Sequence, residues 1–443
     1  MTAATMTGRT LALLPWGDAV EDFLDGIGIT LGEFCDSMTG GWLFGYVEAL
    51  RLAGWRCVII CVSRGVQAVQ RRRHLPTGAT IVLLPQVAAY RRAAEGMDSP
   101  YAASPAEAFG TSHGAVTLRQ RLAWQLAPYL ATPLGPLLRC LRREGATHLL
   151  VQEYESARFE AGVLAGRLLG LPVFASFQGG DRHHRRLERL LRPRSLARCA
   201  GLVIASGPEA ERVQARYGVP AARIARIANP LDLALWHPED RAASRAALGR
   251  PAEETVVICH GRIDLHRKGL DVLVQAWATC CAERPGAALR LVLVGSGSDN
   301  AALQALLAQH PQARVEWHQG YILDRATMRR QLGAADAYVM ASRHEGFPVA
   351  PLEAMACGLP VVATDVPGIP EILGGGEASG GLVVPRGEAA PLAVALGRLL
   401  DDAALRQRLG KAARRRVEAK YGFTGIGAAL SAVLLGQAAG PRA

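Results

Sequence analysis

The chain has 443 residues, half of them apolar and a fifth charged, with a formal net charge of +11; that length suits two soluble domains of roughly 200 residues each. No run approaches the ~18 apolar residues of a membrane span, no signal-peptide-like stretch precedes the first apolar run, and nine scattered cysteines without a CxxC pair argue against zinc or disulfide frameworks and for a cytoplasmic setting. The positive surplus favours polyanions such as nucleotide phosphates, anionic lipid or nucleic acid, without choosing among them.

Strand-like apolar runs begin at Thr10–Leu14, Cys57–Val62, Thr80–Leu84, Thr147–Gln152, Val173–Ser176 and Gly201–Ala205. A second set follows at Thr255–Cys259, Leu289–Val294, Arg314–His318, Ala337–Met340 and Pro360–Ala363. Helix-length Ala/Leu/Arg-rich stretches separate them. Short Val/Ile/Leu-rich strands alternating with helices predict βαβ units and parallel sheets covered on both faces. The turn signal Asn229-Pro230 and the charged stretch after it divide the sets. The expected organisation is a first domain over 1–228, a linker over 229–254, a second domain over 255–415 and a C-terminal helical segment over 416–443 that packs back on the first domain. Two doubly wound domains place their strand ends around one cleft, where loops and helix N-termini meet ligands.

In the first half, the acidic segment Pro15–Thr39 reads either as a surface loop or as an acceptor-specific lid. Gly40-Gly41 precedes a helical stretch and could let backbone approach a phosphate. Ser176-Phe177-Gln178-Gly179-Gly180-Asp181 follows a strand, and Asp181 is a candidate for orienting an acceptor hydroxyl. The run 182–194 holds six arginines with leucines at 187, 190 and 191. It fits either a solvated helix with leucines in the core or contact with an anionic membrane.

In the second half, Gly261-Arg262-Ile263-Asp264-Leu265-His266-Arg267-Lys268-Gly269 follows a buried strand directly. Arg262 and Lys268 could neutralise a diphosphate, the guanidinium by planar two-point contact; a solvated basic loop is the other reading. Val294-Gly295-Ser296-Gly297 is part of a dinucleotide fingerprint and weak alone. Arg343-His344-Glu345-Gly346-Phe347-Pro348-Val349-Ala350-Pro351-Leu352-Glu353 carries two carboxylates suited to vicinal hydroxyls. The N–H groups of Gly346, Phe347 and Val349 could point at the same ligand. On spacing alone, Glu353 also fits a helix N-terminus and Glu345 a solvated loop. Gly374-Gly375-Gly376 reads either as a loop lining the same cleft or as a flexible turn.

Together these runs resemble glycosyltransferase family 4, whose E-x7-E motif is matched by Glu345–Glu353. The resemblance extends from Thr255 to about Tyr421, through Glu353-Ala354-Met355-Ala356-Cys357-Gly358-Leu359-Pro360, Pro370-Glu371-Ile372 and Gly381-Leu382-Val383-Val384-Pro385. It implies an α/β GT-B fold, two Rossmann-like domains facing an interdomain cleft. It implies a retaining, metal-independent glycosyltransferase with a nucleotide diphosphate-sugar donor and no cofactor. Arg262 and Lys268 would hold the diphosphate, Glu345 the transferred sugar and Glu353 the ribose; Gly41 and Gly261 would line the donor site. Two positions depart from the family pattern: Pro348 lacks an N–H where glycine is frequent, and Gln178 stands where histidine is usual. A GT-B sugar-nucleotide epimerase or hydrolase and a non-catalytic basic binding protein are the alternatives. No nucleic-acid signature is present.

Overall fold

The computed structural model describes residues 8–15, 17–111, 115–180 and 185–437. Asp181 lies outside them. Fourteen strands are described: β1 Thr10–Leu14, β2 Arg56–Ser63, β3 Gln70–Arg73, β4 Thr80–Pro85, β5 His148–Gln152, β6 Val173–Ser176, β7 Gly201–Val203, β8 Ile224–Ala225, β9 Thr255–His260, β10 Leu289–Gly295, β11 Val315–Gln319, β12 Ala337–Met340, β13 Val361–Thr364 and β14 Gly381–Val384. The first eight form one sheet in the order β3-β4-β2-β1-β5-β6-β7-β8, and the last six a second in the order β11-β10-β9-β12-β13-β14. The pairings are parallel except that of β3 with β4. Both sheets are doubly wound, with switch points between β1 and β5 and between β9 and β12.

Strand side chains alternate between two buried faces. Leu11, Leu13, Ile59, Ile81 and Leu83 enter one core of the first sheet; Ala12, Leu14, Val58, Ile60, Val82 and Leu84 enter the other. In the second sheet Val256, Ile258, Val292 and Val294 face one side, and Val257, Leu291 and Leu293 the opposite side. Burial on both faces explains why these strands read as unbroken apolar runs.

Several tertiary ties join the two sheets. The segment after Asn229-Pro230 packs on the second sheet: Trp236 is buried there, and Arg245 Nη2 pairs with Asp336 Oδ2 at 2.6 Å. Leu231 forms a bridge with Gly422. Helix Phe423–Leu434 then lies against helix Gly41–Leu52 of the first domain. Ile426, Leu430 and Leu434 join the first domain's core, and Trp55 Nε1 donates to Ser431 Oγ at 3.0 Å. The contact is close because residue 427 is glycine; a Cβ there would overlap the Ala49 carbonyl.

Helix Arg186–Arg198 differs from the reading that places its leucines in the core. Its buried residues are Glu188, Arg192 and Leu196, while Leu190 is exposed. Arg192 pairs with the buried Glu160, and Arg185 donates to the carbonyls of Trp124 and Pro100. A buried arginine needs such partners to offset its desolvation.

Candidate active site

The carboxyl ends of both sheets open on one cleft of about 620 Å³. From the first domain it receives Pro15 after β1, Gln152 and Glu153 at the end of β5, and Gln178–Gly180 after β6. From the second it receives Cys259–Arg262 at the end of β9, Val294 of β10 and Met340–Ser342 after β12. Arg262, Lys268, Glu345, Gly41, Gly261, Phe347 and Val349 all line it. Gly346 and Glu353 are not among the residues that line it.

Lys268 Nζ donates to Glu345 Oε1 at 2.6 Å, and Ser342 Oγ to the same oxygen at 2.7 Å. Burial alone would raise the Glu345 pKa, but the charge and hydrogen bond of Lys268, the Ser342 bond and the Arg267 charge outweigh it and hold the carboxyl below its ordinary range. Arg262 has no hydrogen bond or ion pair with any described residue. Arg262 is exposed at the cleft, and partial desolvation there, with Arg267 beside it, lowers its pKa despite the charges of Asp264 and Glu345. A guanidinium stays cationic under such a shift. The site therefore pairs one committed cation, Lys268, with one held ready for an anion.

Glu353 stands in the first turn of helix Ala350–Ala356 and is buried. Its Oε2 shares a 2.7 Å hydrogen bond with His260 Nε2, and His260 itself lines the cleft. The carboxylate expected at a ribose is thus presently bound to an imidazole. Sequence reasoning missed His260, although its place between β9's apolar run and Gly261 was a usable signal. Gly295 and Gly297, read as part of a phosphate fingerprint, have another reason: Cβ atoms there would overlap the carbonyls of Gly261 and Ile263. Their role is to let β10's turn nest under the Arg262 loop, with Ile263 N donating to Ser296 O at 3.0 Å. Gly374–Gly376 lies away from the cleft-lining residues.

The cleft is closed by contacts between the two halves. Arg267 Nη2 donates to Gly179 O at 2.8 Å, and Asn229 Nδ2 to Phe347 O at 3.2 Å. Gln178 and Asn229 exchange side-chain hydrogen bonds of 3.1 and 2.8 Å. Arg325 reaches across to Thr39 through its carbonyl and its Oγ1. Glu371 Oε1 accepts from Gly207 N at 2.6 Å and Arg226 Nη2 at 2.8 Å. At the centre of the seam a Cβ on Gly346 would overlap Gly179 backbone, and one on Gly179 would fall 2.7 Å from Gly346 N. Gly346 therefore serves close approach of two loops.

A further acid was not visible in the sequence. Glu153 lies at the cleft with φ of 60°, a backbone state costing a non-glycine residue roughly 1–3 kcal/mol. Its Oε1 accepts from Gln178 N at 2.6 Å, while Oε2 is buried without a hydrogen-bond partner among the described residues. Burial, with neighbouring Glu155 and Glu209, pushes its pKa up to about 8 against the Gln178 and Gly180 backbone. Glu153 is thus a protonated carboxyl near neutral pH, and Gln178 is placed by it and by Asn229.

The family model described as Glycosyltransferase Family 4 matches residues 46–235, and that described as Glycosyl transferases group 1 matches residues 254–402. The chain is 30% identical over 315 residues to the D-inositol 3-phosphate glycosyltransferase of Rhodococcus opacus, covering 68% of this chain and 69% of that protein. It is 32% identical over 252 residues to the protein of the same name from Jonesia denitrificans, covering 55% and 59%. With the GDP-mannose-dependent monoacylated alpha-(1-6)-phosphatidylinositol monomannoside mannosyltransferase of Corynebacterium glutamicum it shares 34% over 209 residues, covering 44% and 51%. The chain thus spans about half to about two thirds of the length of these relatives. Among solved structures, sucrose-phosphate synthase from Thermosynechococcus elongatus superposes with a TM-score of 0.67 at 20% identity, over 97% of this chain and 98% of that one. Alr3699/HepE of Anabaena in complex with UDP gives 0.68 at 15% identity, over 97% and 100%. These two likenesses show the shared GT-B architecture. With both family models and the Rhodococcus relative in agreement, the chain belongs to glycosyltransferase family 4.

Proposed function

We propose that the chain transfers a sugar from a nucleotide diphosphate-sugar to a hydroxyl acceptor, with retention at the anomeric carbon and without a metal ion or cofactor. The observation that carries this reading is the convergence, in one interdomain cleft, of the unpartnered Arg262 with the Lys268–Glu345 pair. Arg262 and Lys268 meet the diphosphate and supply the positive charge that its departure requires. Glu345, ionised at neutral pH, accepts hydrogen bonds from the sugar hydroxyls. Glu353 and His260 take the ribose side. The anomeric carbon–oxygen bond to the diphosphate breaks, and the acceptor oxygen bonds the same face. The acceptor proton passes to the leaving phosphate oxygen, so no protein nucleophile is needed. Asp181, outside the described residues, and Gln178 belong to the acceptor side.

The reading includes cytoplasmic work at an anionic membrane. Helices Leu118–Leu130, Ala157–Leu169 and Arg186–Arg198 lie side by side. Leu118, Leu122 and Leu126, one turn apart, are 74%, 53% and 45% exposed. Arg119 and Arg121 are exposed on the same helix, Arg186 and Arg194 are exposed on helix Arg186–Arg198, and the two acids of these helices, Glu160 and Glu188, are buried. Exposed leucines and arginines on helices whose acids are buried fit anionic lipid.

A thermal-shift panel of UDP-, GDP- and ADP-sugars tests donor binding, since a ligand of the folded state raises the melting point. Product NMR then reads the anomeric configuration. The reading expects one nucleotide class to bind, retained configuration and full activity in chelator. Turnover of donor alone to an epimer would contradict it.

A further inference from the structure

Beside the polar Gln152, Glu153, Gln178 and Asn229, one stretch of the first-domain wall of the cleft is apolar, and this bears on the acceptor. Val20, Phe23 and Ile27, at i, i+3 and i+7 around helix Glu21–Ile27, line the cavity together with Phe34, Met38 and Trp42. The acidic side chains of the same segment point elsewhere. Asp22 and Asp25 pair with Arg64, Asp36 with Arg72 at 2.7 Å, and Glu21 accepts from Ser63. Glu33 closes a capping box with Thr30. The segment between β1 and helix Gly41–Leu52 thus turns these apolar side chains toward the cavity, while Arg64, Arg72, Ser63 and Thr30 hold these acids.

Cations are sorted as well. Arg262, Arg267 and Lys268 all line the second-domain side. Among the described residues that line the first-domain side, none is lysine or arginine. An acceptor carrying its own phosphate would meet no counter-charge among those described lining residues, and burying an unpaired charge there is costly. An apolar void, by contrast, takes apolar ligands readily.

Resting on the transferase reading above, we infer that the acceptor is amphipathic: a hydroxylated head carrying an apolar tail that lies along Val20, Phe23, Ile27, Phe34 and Met38. The acidic segment at 15–39 is then the element that selects the acceptor by its tail. Each methylene laid on that wall tightens binding up to roughly fourfold.

The test uses the full chain saturated with whichever nucleoside diphosphate binds it, and three probes below their aggregation limits: methyl β-D-glucoside, octyl β-D-glucoside and glucose 6-phosphate. Calorimetry should show octyl glucoside binding at least tenfold more tightly than methyl glucoside, and glucose 6-phosphate no better than methyl glucoside. Phe23→Asp, at a half-buried position, should abolish the octyl advantage while leaving nucleotide affinity unchanged. Trp42→Ser is the second variant and should reduce the same advantage if Phe23→Asp does not fold. Equal binding of the two glucosides, or tighter binding of glucose 6-phosphate, would overturn the inference and leave the transferase reading standing. Absence of any nucleoside diphosphate binding would instead overturn the transferase reading and, with it, this inference.

Discussion

Replacing Lys268 by methionine separates what the Lys268–Glu345 pair does for the fold from what it does for the reaction. The lysine side chain is 27% exposed and the glutamate 11%. Removing one partner of a buried pair costs about 3–5 kcal/mol, and the partial exposure of Lys268 places this case nearer 2–3 kcal/mol. The loss arises because Glu345 is left in a desolvated site with Ser342 as its remaining close donor. Glu345→Gln in the same chain removes the stranded charge, so the double variant should regain about half of the lost stability. Activity should behave differently. A preorganised donor aimed at developing charge contributes about 10²–10³ in kcat, and neutralising Glu345 cannot return it. Urea unfolding and initial rates on the wild type, both single variants and the double variant complete the cycle. There is a pH signature too. A carboxyl held below its ordinary value of 4.5 contributes stability that is present above that pH and fades as pH falls through the lower folded value. Lys268→Met should lose that acid-side fading. Recovery of transfer in the double variant, or an unchanged kcat in Lys268→Met, would refute the reasoning.

Glu153, raised to about 8, keeps its proton in the folded state after the unfolded chain has released it near 4.5, so wild-type stability should fall as pH rises across that interval. Glu153→Gln should gain stability relative to wild type over the same window, by up to a few kcal/mol; parallel pH profiles from urea unfolding would contradict this. Gly346→Ala should hold the two loops apart and cost on the order of 10²-fold in kcat/KM, while the unfolding midpoint barely moves because the clash lies at the seam between the domains. Gly427→Ala should do the reverse, losing about 1–3 kcal/mol by overpacking the contact with Ala49, read as a lower Tm.

The fold was legible where burial is symmetric. Every strand read in the sequence is present, and most are apolar because they are buried on both faces; edge strand β11, Val-Glu-Trp-His-Gln, has no buried residue. Of the three that were not read as strands, β3 is Gln-Arg-Arg-Arg on an antiparallel edge and β8 is two residues long, so neither has an apolar run, whereas β14, Gly-Leu-Val-Val, has one and was missed. Arg262, Lys268 and Glu345 each come after a strand of the second sheet, but it was the resemblance to the family that grouped them at one donor. The conformation and protonation of Glu153 could not, since both come from packing against Gln178, Glu155 and Glu209, which no local pattern records. The burial of Arg185 and Arg192 was hidden for the same reason. A basic helix looks solvated until the acids and carbonyls that meet it are brought in from other elements.

The central claim is that Arg262 and Lys268 receive the diphosphate of the donor. Calorimetric titration of the preferred nucleoside diphosphate, and of the corresponding nucleoside without phosphates, into wild type and Arg262→Ala measures this directly. A lost charge-assisted contact of about 1.5–3 kcal/mol predicts roughly 10–100-fold weaker diphosphate binding in the variant and unchanged nucleoside binding. Equal diphosphate affinity in the two proteins would contradict the account.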